Sequence, residues 1–98
     1  MVTIPAATDL NLDAMTPEDL QAFADACGPL RCRRAAARQL FPHRPPGYCL
    51  AANLLGAYAW NKLTAMRQRA QGNITVANVY DMICDRIYTQ LPDWARGW

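Results

Sequence analysis

Histidine is almost missing from this chain: His43 is the only one among 98 residues, and it sits in a proline-rich stretch. There is also no glycine-rich phosphate loop, no G-x-S-x-G elbow and no H-E-x-x-H helix. None of the common phosphate-binding, acyl-transfer or zinc-hydrolase arrangements can therefore be read from the sequence, and the expectation is a protein that is not an enzyme. Strand signals are missing as well, with no period-two alternation and no Asn-Gly or Asp-Gly pair to close a hairpin. Charged residues are only 18% of the chain, and the net charge of +2 does not by itself name a nucleic-acid or membrane partner. The longest apolar-rich run, YCLAANLLGAYAW, has 13 residues, against about 20 for a membrane span. The opening MVTIPAATDLNLDAM has neither the basic start nor the apolar core of a signal peptide. A cytoplasmic protein is expected, with Cys27, Cys32, Cys49 and Cys84 as small buried hydrophobes.

What is present is helical. In TPEDLQAFADACG, Thr16 can cap a helix that starts at Pro17, with Glu18 and Asp19 in its first turn. Leu20, Phe23, Ala24 and Cys27 then recur as one apolar stripe, and Gly28 with Pro29 ends it. A second helix is expected over about residues 30–41, with Leu30, Ala37, Leu40 and Phe41 sharing a face. PHRPPG stops it and makes residues 42–47 a proline-rich linker. A third helix is expected over about 48–71, with the stripe Tyr48, Ala52, Leu55, Ala59, Leu63, Met66 and Ala70. Its first half is apolar nearly all round and should be wrapped by other elements or a partner. Gly72 and Asn73 break the chain before a fourth helix over about 74–91, with Val76, Ala77, Tyr80, Ile83, Cys84, Ile87 and Leu91 facing inward.

So short a connection makes the third and fourth helices an antiparallel hairpin. At 1.5 Å per residue they run about 36 and 26 Å, so the fourth cannot cover the start of the third. That task falls to the first two helices or to the tail, residues 92–98, with Trp94 and Trp98. Trp60, on the polar side of the third helix, should meet the first or second helix or a partner. The expected architecture is a single all-α domain: two short helices packed at the open end of a long hairpin, with residues 1–15 as an extended arm.

Two resemblances follow from particular residues. From Gly72 to Pro92 the turn glycine, Ala77, Tyr80 and the closing proline resemble the second helix of a tetratricopeptide repeat, which implies a shared way of closing a helical hairpin. Over about residues 57–98, YAWNKLTAMRQRAQGNITVANVYDMICDRIYTQLPDWARGW resembles the C-terminal half of small helical proteins of bacteriophages and mobile elements. That resemblance implies an accessory or inhibitory role and no catalytic residues.

Three constellations carry candidate chemistry. Five of the ten bases fall in RCRRAAARQLFPHRPP, which has no acid, whereas five of the eight acids precede residue 28. Arg31, Arg34 and Arg38 recur along one helical face, extended by His43 and Arg44, and could meet phosphates or an acidic protein. A helix-turn-helix register fits poorly, because Arg34 and Arg38 occupy its interior positions. Glu18, Asp19 and Asp25 on the preceding helix are expected to neutralise part of this face. Trp94 and Arg96, with Trp98, are residue types that anchor protein interfaces. Cys27, Cys32, His43 and Cys49, spaced C-x4-C-x10-H-x5-C, offer a tetrahedral zinc set. Because Cys27 belongs to an apolar stripe, buried structural cysteines are expected instead, with no metal and no cofactor. The functional expectation is a protein-binding accessory, adaptor or inhibitor that uses the arginine face and the aromatic tail and is able to self-associate. The alternative is a small nucleic-acid-binding protein using Arg31, Arg34, Arg38 and Arg44.

Overall fold

The computed structural model describes residues 4–28 and 30–98, with residues 30–33 as backbone only. Among them lie four α-helices: α1 Pro17–Cys27, α2 Leu30–Leu40, α3 Tyr48–Ala70 and α4 Ile74–Gln90. Three short 3-10 turns accompany them, at Ala7–Asp9, Leu12–Ala14 and Asp93–Ala95, and no described residue is in a strand.

Local chemistry sets the helix ends. The Thr16 hydroxyl accepts from the Asp19 N–H at 3.2 Å, and Pro17 opens α1. Leu20, Phe23, Ala24 and Cys27 are buried along its inner face. At the far end of α3, Gly72 has φ +85°, its N–H reaches the Arg69 carbonyl, and the Asn73 N–H reaches the Gln68 carbonyl at 2.9 Å. This pairing closes orphan carbonyls and turns the chain directly into α4. Across the resulting hairpin, Arg69 bonds Asp81 at 2.6 Å and Asn78 at 3.2 Å.

The core lies along α3, between α4 on one side and α1 and α2 on the other. α1 comes closest at Gly56, where an added Cβ would sit 2.5 Å from the Cys27 Cβ. Among the described residues, no helix is long and apolar enough to cross a membrane.

Residues 4–15 are not an extended arm. Their two 3-10 turns bury Ile4, Ala7, Leu10 and Leu12. Each fully buried leucine contributes roughly 1.5–3 kcal/mol, so this segment is a substantial part of the core. The tail crosses it. A Cβ at Gly97 would overlap the carbonyl oxygens of Ala7 and Leu10, so glycine is what lets the two backbones meet.

The packing departs from expectation at two further points. Trp98 does not cover the start of α3. Its ring lies edge-on to Tyr58 at 5.3 Å and to Tyr88 at 5.4 Å, midway along the hairpin. Leu50, in the first turn of α3, remains 64% exposed rather than wrapped. Trp60 does border the first helix as expected, lining a cleft with Ala24 and Asp25 of α1, and it also stands edge-on to Tyr80 of α4 at 6.1 Å.

Candidate partner-binding site

α2 carries the charge that singled it out. Ala36, Ala37 and Leu40 turn inward and Phe41 follows them into the core, which leaves Arg34 and Arg38 exposed. Arg34, Arg38 and Phe41 stand at i, i+4 and i+7, so the basic edge of the helix leads straight to the phenylalanine. The side chains of Arg31 and Arg33 lie outside the described residues. The expected neutralisation by α1 is not seen. Neither Arg34, Arg38 nor Arg44 forms an ion pair with a described residue. Asp25 instead accepts from Gln21 at 2.9 Å, and the same Gln21 accepts from Arg67.

Where α2 ends, three distant segments enclose a groove of about 390 Å³. Leu40, Phe41, Pro42 and Pro45 form one side, Ala6 to Thr8 the second, and Trp94 the third. Phe41 is buried and serves as the floor. Trp94, 41% exposed, stands edge-on to it with ring centroids 5.1 Å apart. Gln39 ties α2 to the N-terminal segment by accepting from the Ile4 N–H at 3.1 Å. His43 and Thr8 supply the polar atoms of the lining. Arg44, between the lining residues His43 and Pro45 in sequence, has φ +48°, a left-handed backbone in a turn in which its N–H bonds the Phe41 carbonyl. Such a conformation costs a non-glycine residue roughly 1–2 kcal/mol.

The remaining tail residues do other work. Trp98 is half-buried, and its main-chain oxygen accepts from the Tyr88 hydroxyl at 2.5 Å. Arg96 lies over the Tyr88 ring at 5.3 Å and bonds Asp93 at 3.3 Å. Of the three tail residues named from sequence, Trp94 alone joins the groove. Beside Trp98, the Tyr58 hydroxyl donates to Asp13 at 2.7 Å, and Lys62 meets the same carboxylate oxygen at 3.1 Å. Burial by itself would raise the Asp13 carboxyl, but the bonds from Tyr58 and Lys62, the Lys62 charge and a bond from Trp98 outweigh it and hold the group below its ordinary value. Burial, and then Asp13, pushes the Tyr58 phenol well above its usual range, so it stays protonated and donating.

The zinc set is not assembled among the described residues, where no three His, Cys, Asp or Glu side chains converge. Cys27 is buried under Gly56, whereas His43 and Cys49 are exposed; the side chain of Cys32 lies outside the described residues. Cys49 is thus not the buried hydrophobe expected. Cys84 is: its thiol donates to the Tyr58 carbonyl at 3.6 Å, and burial pushes it up to about 11. Val76, expected to face inward, is instead 44% exposed, and with Val79 and Met82, 51% and 61% exposed, it adds an apolar surface on α4.

Comparison with protein-family models, with curated proteins and with solved structures finds no match to this chain.

Proposed function

We propose that this chain is a non-enzymatic protein-binding module, an accessory, adaptor or inhibitor that works in the cytoplasm. The setting is phage or mobile-element biology, on the strength of the resemblance over residues 57–98 alone. One observation carries the binding role: a groove lined by Phe41 and Trp94 where α2 ends, on a helix whose exposed Arg34 and Arg38 form no ion pair among the described residues. Half-exposed tryptophan in a concave apolar surface beside arginine is the composition that dominates protein-interface energetics. Affinity capture from the native host, with quantification of bound proteins, tests this reading. Trp94→Ala and the pair Arg34→Glu with Arg38→Glu should each lose the same partner while circular dichroism stays unchanged. A partner retained by both variants contradicts it.

The unpaired arginine edge also favours a second reading, nucleic-acid binding. That reading requires retention on DNA or heparin at low salt and a steep loss between about 50 and 200 mM salt.

A further inference from the structure

We infer that the partner is an acidic segment of another protein, which seats one large apolar side chain in the groove lined by Phe41 and Trp94 and lays its carboxylates along Arg34, Arg38 and Arg44. This rests on the protein-binding reading above and adds the chemistry of the partner.

Charge is the first argument. No acid occurs between Asp25 and Asp81, a stretch that contains eight of the ten bases. Three of the eight have partners elsewhere: Lys62 pairs with Asp13, Arg69 with Asp81, and Arg67 donates to Gln21. Of the arginines of α2 and its following turn, Arg34, Arg38 and Arg44 have no ion pair among the described residues, and the side chains of Arg31 and Arg33 lie outside them. Asp93 bonds Arg96 at 3.3 Å but keeps a 98% exposed side chain, and Asp9 is exposed as well, so acids flank the groove at its tail and N-terminal walls while the α2 side carries none. An approaching chain therefore meets a surface of one sign on the α2 side. Such a surface speeds encounter with opposite charge and rejects like charge.

The groove is the second argument, and it separates protein from nucleic acid. Its lining is alanine, leucine, proline, phenylalanine and tryptophan, with the Thr8 hydroxyl and the His43 imidazole as its polar side-chain groups. A nucleobase placed there would bury ring nitrogens and carbonyls against apolar walls with few partners, which costs free energy for each unmatched group. A leucine, phenylalanine or tryptophan side chain has little or nothing to leave unmatched. A volume of about 390 Å³ accommodates one such side chain and part of its backbone.

Spacing is the third. Arg34 to Phe41 spans about 10 Å along the helix, and an extended segment of about six residues reaches about 20 Å. One short peptide can thus fill the groove and still pass Arg34.

The experiment selects from a display library of random peptides of about ten residues against the full chain at low salt. Binding of the recovered peptides is then measured by fluorescence anisotropy. Trp94→Ala and Arg34→Glu with Arg38→Glu are compared with the parent chain, all checked for unchanged helicity. The expected result is enrichment of peptides that combine a tryptophan, phenylalanine or leucine with several Asp or Glu. Their binding should fall about tenfold or more in each variant. Enrichment of neutral or basic peptides that still depend on Trp94 would overturn the acidic-partner inference and leave the protein-binding reading standing. Tighter binding of a single-stranded DNA of equal length, lost in the arginine variant, would overturn both. So would recovery of no peptide, whether the chain stays monomeric or instead associates with itself through Glu18, Asp19 and Asp25 of a second copy.

Discussion

Lys62 and Arg38 are both basic side chains on the surface of one small helical protein, and they are used in opposite ways. Lys62 sits where the chain ends cross. There Asp13 receives Tyr58 and Lys62, Trp98 is held between two tyrosines, and Gly97 lets the tail cross the N-terminal turns. At the other site, Arg38 and Arg34 stand exposed without an ion pair among the described residues, on the helix whose end forms one wall of a groove that a half-exposed tryptophan also lines. Satisfied groups hold a fold together; exposed charge beside exposed aromatic surface is what a fold leaves for something else. The first region should therefore respond to mutation in stability and the second in binding.

The hardest test of that division is Leu12→Ala. Leu12 is completely buried in a turn that an extended arm would leave in solvent. Chemical denaturation should show a loss of about 2–5 kcal/mol, where an arm would lose almost nothing. Next comes Gly56→Ala, whose new methyl meets the Cys27 Cβ at 2.5 Å. Separating α1 from α3 should cost about 1–3 kcal/mol, read from the same denaturation curve.

Asp13→Asn should cost less, about 1 kcal/mol, because the carboxylate is 48% exposed and its ion pair is screened. Its signature is the pH dependence. A carboxyl held below its ordinary value of 3.8 adds stability that is fully present above that value and is lost as the pH falls through its folded-state pKa. The parent chain should consequently lose part of its melting temperature on acidification below about pH 4, and the Asn variant should lose less over the same interval. The smallest stability effects belong to the other region. Arg44→Gly should cost nothing, since glycine accepts φ +48° without strain, and thermal unfolding would show it.

The helices were legible in the sequence because each carries its own signals. Thr16 and Pro17 start α1, Gly72 and Asn73 terminate α3, and the observed bounds fall within a residue of the expected ones. Residues 4–15 were not, because three-residue turns are too short to show a period and their leucines look like those of a loop. The arginine edge could be seen at i, i+3 and i+7, but not that Arg34 and Arg38 form no ion pair among the described residues, which depends on tertiary packing. The groove was invisible for a related reason. Its walls come from residues 6–8, 40–45 and 94, and only the tertiary fold brings them together. Trp98 looked available for a partner until Tyr58, 40 positions earlier, proved to be its neighbour.

The central claim is that the α2 edge and the Trp94 groove serve binding and not folding. One double variant, Arg34→Glu with Arg38→Glu, tests it when melting temperature and affinity for an acidic, aromatic peptide are measured on the same sample. The account expects a melting temperature within about 4 °C of the parent chain, matching the half kilocalorie or less of an exposed substitution. It expects the affinity to fall about tenfold or more. A collapse in melting temperature with undiminished affinity would contradict it.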